Sequence, residues 1–77
     1  MITIEDFTSA VKEHFKTGWW NLSDEQVDEY INGEEAQEEI TNRYNEAVKR
    51  YKNGELTKEQ FLVGVASSVG NCLIYMY

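Results

Sequence analysis

The chain has 77 residues, of which 42% are apolar and 27% are charged, and its formal net charge at pH 7 is −7. This length allows one domain with one small core, and five Tyr, three Phe and two Trp exclude an extended disordered chain. The acidic balance disfavours direct binding to nucleic acids and to anionic membrane surfaces, and it favours basic protein partners.

The cysteine content and the amino end predict a cytoplasmic protein without disulfides. Cys72 is the only cysteine, so no intrachain disulfide can form. The first residues, MITIEDF, lack the basic and apolar segments of a secretory signal peptide. We therefore expect a reducing location.

The first predicted helix covers about residues 4–17. Thr3 is a favourable N-cap, Asp6 stands three residues later as in a capping box, and Gly18 is a typical C-terminal stop. Between these signals, apolar side chains recur at helical spacing, at Ile4, Phe7, Val11 and Phe15. One face of this helix should therefore lie in the core.

The second predicted helix is short and covers about residues 24–31. Ser23 and Gln26 form a capping box at its start. Leu22 and Val27 stand at the spacing of a hydrophobic staple. The Asn-Gly pair that follows ends the helix.

The third predicted helix, about residues 34–52, carries sorted charges. Its first two turns contain Glu34, Glu35, Glu38 and Glu39, and its last turn contains Lys49, Arg50 and Lys52. This gradient complements the helix dipole and strongly indicates a helix. The apolar stripe between the charges is narrow, so we expect most of this helix to face water.

The fourth predicted helix covers about residues 58–75 and forms an antiparallel hairpin with the third. Gly54 ends the third helix, and Thr57 with Gln60 forms a capping box for the fourth. The predicted core residues of this last helix are Phe61, Leu62, Val65, Val69 and Leu73. Cys72, in the same helix, reads as a small core residue.

Residues 61–77 carry no charge, which raises the question of a membrane span. A helix of seventeen residues is about 26 Å long, shorter than the roughly 30 Å hydrocarbon core of a bilayer. Ser67, Ser68 and Asn71 would lie in mid-span, and no basic residue follows Tyr77. We therefore expect no membrane insertion.

Together these signals predict an all-α protein with a single helical domain over residues 1–77. Its four helices form a small antiparallel bundle in which the second is short and the last is central. A second use of the last helix stays open, because its end can overrun the bundle and form an apolar patch for homodimer formation. That patch would comprise Leu73, Ile74, Tyr75, Met76 and Tyr77.

The sequence offers little for catalysis or for binding a metal or another cofactor, so we expect none of the three. His14 is the only histidine and lacks the Glu-x-x-His spacing of a helical metal site. No glycine-rich phosphate loop or activated nucleophile is evident. An enzyme that uses Cys72 with His14 is the remaining catalytic hypothesis.

Two features indicate recognition of a protein partner. Trp19 and Trp20 are adjacent in a short connection, so their side chains diverge, and one can be exposed as a binding hot spot while the other closes the bundle. The acidic run of Glu34, Glu35, Glu38 and Glu39, preceded by acidic residues in the second helix, is either a solvated face or a surface for a basic partner. The leading hypothesis is a noncatalytic acidic interaction module, an inhibitor or accessory protein. The rival hypothesis is a small structural subunit that self-associates through its last helix.

Overall fold

The computed structural model describes residues 2–17 and 21–75, and this part of the chain forms helices and no β-strand. The helices are α1 (Ile4–Lys16), α2 (Asp24–Ile31), α3 (Glu34–Lys52) and a fourth helix over residues 58–75. The predicted all-α bundle with a short second helix is confirmed. Every helix in the described part of the chain is too short or too polar to span a bilayer.

Three of the four helix starts are the capping boxes that the sequence predicts. In each box the N-cap hydroxyl accepts a hydrogen bond from the backbone N–H of the third helical residue, and the N-cap N–H donates to the side-chain oxygen of that same residue. The pairs are Thr3 with Asp6, Ser23 with Gln26, and Thr57 with Gln60. These local bonds fix where the helices begin before any tertiary contact is considered.

The turn between α3 and the fourth helix depends on Gly54. Its φ angle is +78°, in the left-handed region that glycine enters without strain. The N–H of Gly54 donates to the carbonyl of Tyr51 at 3.1 Å, and that of Glu55 donates to the carbonyl of Arg50 at 2.9 Å. The predicted C-terminal stop is confirmed here, whereas Gly18, predicted to close α1, lies outside the described residues.

The core is formed by one face of each helix, and the last helix packs against the other three. The buried residues are Ile2, Phe7, Val11, Phe15, Val27, Ile31, Ala36, Ile40, Ala47, Phe61, Ala66, Val69 and Leu73. The long helix α3 contributes only Ala36, Ile40 and Ala47 to this set. The predicted narrow stripe of α3 and the central position of the last helix are both confirmed.

Four aromatic rings join α1, α3 and the last helix at the centre of the core. Phe61 lies with its ring centroid 5.6 Å from that of Phe7, 5.9 Å from that of Tyr44 and 5.7 Å from that of Tyr51. The Phe7 and Tyr51 rings meet Phe61 edge-on, a favoured aromatic geometry. The Tyr44 hydroxyl donates to the carbonyl of Ile2 at 2.6 Å, which holds the amino end on α3.

The last helix differs from a regular α-helix over Gln60–Val65, which form a π-helical turn. After this turn the chain continues as α4, Ala66–Tyr75. Phe61 and Ala66 are five residues apart and both fully buried. In a regular α-helix their side chains would lie about 140° apart, and the wider π-helical turn brings them closer to one side. Val63, between them, is turned outward and is 59% exposed.

The prediction of a buried Cys72 is wrong, because the structure places this residue on the exposed side of α4. The buried arc of α4 runs from Val69 through Leu73 to Gly70. At about 100° per residue, Cys72 lies about 60° beyond Val69 on the side away from Gly70. Leu73, the next residue, is therefore in the core, while the side chain of Cys72 is not.

Gly70 is required because α1 approaches it closely through His14. A Cβ atom at position 70 would lie 2.5 Å from the Cδ2 atom of His14. The His14 Nε2 atom also lies 3.3 Å from the Oδ1 atom of Asn71, within hydrogen-bond distance. Gly64, in the π-helical turn, has no atom within 4 Å of the corresponding position and offers a matched comparison.

We predict different effects on stability for the two substitutions Gly70→Ala and Gly64→Ala. Gly64→Ala should be neutral or should stabilise by up to about 1 kcal/mol, because alanine is the better helix former. Gly70→Ala should unfold more readily than Gly64→Ala by about 1–2 kcal/mol, because the added methyl group overpacks against His14. Urea unfolding followed by circular dichroism measures both.

The double variant His14→Ala with Gly70→Ala is the control for this prediction. If the contact with His14 is the cause, adding Gly70→Ala to His14→Ala should change the free energy of unfolding very little. The double variant should then be about as stable as His14→Ala alone. Equal destabilisation by Gly70→Ala with and without His14 would contradict the assignment.

Candidate partner-binding surfaces

The acidic face of α3, defined as Glu34, Glu35, Glu38 and Glu39, points away from the core. At about 100° per residue, the centre of these four positions lies on the side of α3 opposite the row of Ala36, Ile40 and Ala47. Three of the four glutamates are exposed, and Glu39 is half-buried. The predicted residues therefore form a continuous surface over the first two turns of the helix.

The glutamates of this face differ in their partners. Glu39 lies 3.8 Å from the guanidinium of Arg43, which in turn donates to the Ser68 hydroxyl at 2.8 Å. Within the described residues, Glu34, Glu35 and Glu38 form no ion pair. Three carboxylates are thus available to a basic partner, and Glu39 is available only in competition with Arg43.

Four acidic residues of α2 are also exposed: Asp24, Glu25, Asp28 and Glu29. Asp24 is already engaged, because its carboxylate lies 2.5 Å from the ammonium of Lys16 in α1. The hydrogen bond and the charge of Lys16 lower the pKa of Asp24, and those of Asp24 raise the pKa of Lys16. This pair ties the end of α1 to the start of α2 across the connection that contains Trp19 and Trp20.

Trp19 and Trp20 lie outside the described residues, so their predicted interface role stays a prediction. The chain on either side of them is described. Leu22 N–H donates to the carbonyl of Phe15 at 2.9 Å. Asn21 has a φ angle of +43°, in the left-handed region.

The predicted self-association patch is divided between core and surface. Leu73 is fully buried, Ile74 is half-buried and packs on the core, and Tyr75 is 85% exposed. Met76 and Tyr77 lie outside the described residues. Among the described members of the patch, Tyr75 is the large side chain available for contact with another molecule.

His14 and Cys72 do not form a hydrogen-bonded pair. His14 meets Asn71 and Gly70 on α4, whereas Cys72 is exposed. Across the described residues, no group of three or more His, Cys, Asp and Glu side chains is placed to hold a metal ion.

Sequence reasoning missed the grooves on either side of the π-helical turn. The groove towards α3, of about 390 Å³, is lined by Arg43, Glu46, Ala47, Arg50, Leu56, Gln60, Gly64, Val65 and Ser68. The groove towards α1 consists of two adjoining cavities that meet at Ala10, Glu13 and Leu62. A π-helical turn has no reliable sequence signal, and the two glycines of the last helix, Gly64 and Gly70, indicate only a helix that can bend.

We compared the chain with protein families, curated proteins and solved structures. No protein-family model matches the chain, and neither the curated proteins nor the solved structures contain a significant match.

The ion pair between Lys16 and Asp24 predicts a pH dependence of stability. Because the folded-state pKa of Asp24 is lowered, its stabilising effect is present above the unfolded-state pKa and is lost as the pH falls through the folded-state pKa. Asp24→Asn should therefore lower the urea midpoint at pH 7, and the difference from the natural chain should shrink at acidic pH. Both groups are exposed, so the effect should be small.

Glu25→Gln is the matched control, since Glu25 lies in the same first turn of α2 and forms no ion pair within the described residues. It removes one charge near the same helix dipole. A pH-dependent loss of the same size in Glu25→Gln would assign the effect to the dipole and not to Lys16.

Proposed function

We propose that this protein is a noncatalytic acidic interaction module that engages a basic surface on a partner protein, as an inhibitor or accessory protein. The observation that carries the proposal is the exposed acidic face of α3, on which Glu34, Glu35 and Glu38 have no cationic partner in the described residues. Charges that are already solvated and unpaired can attract a basic surface without first breaking internal ion pairs.

Helix stabilisation alone explains only part of this face. The first turn of α3 contains Glu34 and Glu35, and no side chain caps this helix, so these two carboxylates complement its dipole. The dipole effect falls off within the first turn. Glu38 and Glu39 lie beyond that turn. Glu39 is paired with Arg43, whereas Glu38 forms no ion pair within the described residues, so neither the dipole nor an internal pair explains Glu38.

Such a face would act mainly on the rate of association. A surface of one charge sign raises the rate at which an oppositely charged partner is met, and salt screens this effect. A partner that binds nucleic acid offers a basic surface of the required kind. Occupation of that surface by this protein would block its normal ligand.

We predict that reversing the acidic face prevents capture of the partner. The variant Glu34→Lys, Glu35→Lys, Glu38→Lys, Glu39→Lys should lose basic partners from a lysate of the source organism. With a purified partner, it should associate about tenfold or more slowly at low salt. Pull-down at low and high salt, identification of the bound proteins by mass, and stopped-flow kinetics provide the measurements.

The control reverses four other exposed glutamates, Glu5, Glu46, Glu55 and Glu59, so that both variants have the same net charge. Circular dichroism should show that both are helical. If the control loses the partner to the same extent, net charge and not the face of α3 is responsible. If the first variant retains every partner, the proposal is wrong.

A second candidate function, self-association, is favoured by one observation. Tyr75 is 85% exposed near the end of α4, and Ile74 beside it is only half-buried. Exposed aromatic side chains are enriched in contact surfaces between proteins. In this alternative the chain is a small structural subunit that forms homodimers through residues 74–77.

We predict for this alternative that the natural chain dimerises and that Tyr75→Ser weakens the dimer. Sedimentation equilibrium over micromolar to millimolar concentrations would show the average mass of the natural chain rising towards that of a dimer. The Tyr75→Ser variant should reach the same average mass only at higher concentrations. Val63→Ser serves as the control, because Val63 and Tyr75 are the large exposed apolar residues within the part of the chain that the structure describes. A monomeric mass throughout the range would exclude self-association.

A further inference from the structure

A continuous groove runs between α1 and the π-helical turn. It consists of two shallow cavities with volumes of about 570 and 230 Å³. The two cavities share Ala10, Glu13 and Leu62, so they form one surface, called here the α1 groove. From Asp6 to Thr17 its α1 side is about 16 Å long, the length of three turns of an α-helix.

The floor of the α1 groove is apolar. Ala10 and Leu62 lie where its two halves meet, and Ile2 and Tyr51 line one end. Val63 lines the other half, and its side chain is 59% exposed. When a partner covers an apolar side chain that is this exposed to water, the burial of its surface stabilises the complex.

The π-helical turn is the reason that Val63 reaches this groove. The wide turn buries Phe61 and Ala66 on one side of the helix and leaves Val63 between them on the outside. Turns of this kind are rare and recur at functional sites. In this chain the turn forms one wall of the groove.

The charges on the walls indicate what the groove can bind. The α1 wall carries Asp6 and Glu13, which are two helical turns apart, about 10 Å. Neither forms an ion pair within the described residues, although Asp6 accepts the N–H of Thr3. Lys58 is the cation on the opposite wall, and His14 lines the far end.

We propose that the α1 groove binds an amphipathic helix of a basic partner protein. The apolar side of that helix would cover Ala10, Leu62 and Val63, and its Lys or Arg side chains would face Glu13 and Asp6. Helices that dock in grooves use anchors at i, i+3 or i+4 and i+7, a length that fits three turns. This inference rests on the proposed function, because it assigns the apolar contact to the same basic partner.

The test uses a synthetic three-turn helix of Leu and Lys with its leucines at i, i+3, i+4 and i+7. The isotope-labelled chain is titrated with this peptide and followed by NMR. We expect chemical-shift changes centred on Ala10, Glu13, Leu62 and Val63. A peptide with Glu in place of Lys, and one with the same composition but scrambled order, should bind at least about tenfold more weakly.

Single variants locate the contact within the groove. Val63→Ser should weaken binding of the peptide by about tenfold, the effect of one exposed apolar side chain that becomes buried. Glu13→Gln should weaken it less and should reduce its dependence on salt. Glu46→Gln, which alters an exposed acidic residue outside the groove, should leave the affinity for the peptide unchanged.

The outcomes separate this inference from the proposed function. Shift changes confined to the acidic face of α3 would overturn the groove proposal and leave the proposed function standing. The variant in which Glu34, Glu35, Glu38 and Glu39 are reversed distinguishes the two surfaces. If this variant still shows the shift changes in the groove and still retains its natural partners, the groove proposal is supported and the role of the acidic face is overturned. Absence of binding at millimolar peptide, or equal binding of the scrambled peptide, would overturn the groove proposal.

Discussion

The burial of Phe61 and Ala66 on the same side of the last helix is the packing constraint on which the rest of the structure depends. Phe61 is the ring against which Phe7, Tyr44 and Tyr51 pack, so it joins α1 and α3 to the last helix. Loss of a buried Phe costs about 3–5 kcal/mol, and a core of this size supplies little more than that. The π-helical turn keeps Phe61 in this position while α4 remains in register with α1.

This register has consequences at both ends of the last helix. Beyond the turn, the buried arc of α4 is set so that Gly70 faces His14 and α1 can approach closely. Within the turn, Val63 is directed to water, and one groove opens on each side of the turn. Since the last helix supplies so much of the core, α3 needs only a narrow apolar stripe and can place nearly all its charges on the surface.

The sequence was a good guide wherever short-range chemistry decides the structure. The three capping boxes and Gly54 set helix ends within the local chain, and the charge gradient identified α3. The π-helical turn could not be predicted in this way, because no local signal in QFLVGV distinguishes it from an α-helix. What accompanies the turn is long-range packing, namely the contacts of Phe61 with Phe7, Tyr44 and Tyr51. The exposure of Cys72 follows from the helical phase beyond that turn, and the α1 groove exists only after two helices have packed. Whether Glu34, Glu35 and Glu38 are paired also depends on contacts that the sequence does not display.

The two proposed surfaces would contribute to binding in different ways. The acidic face of α3 has solvated charges, which speed the encounter with a basic partner but add little to its lifetime because water and salt compete for them. The α1 groove has an apolar floor, whose burial slows dissociation and is not screened by salt. A small domain with a marginal core cannot expose a large apolar area without losing stability, whereas charges on a solvated helix cost it little. A chain of this size can therefore remain stably folded with a recognition surface that is mostly acidic. Only Val63 and its neighbours supply the exposed apolar area of that surface.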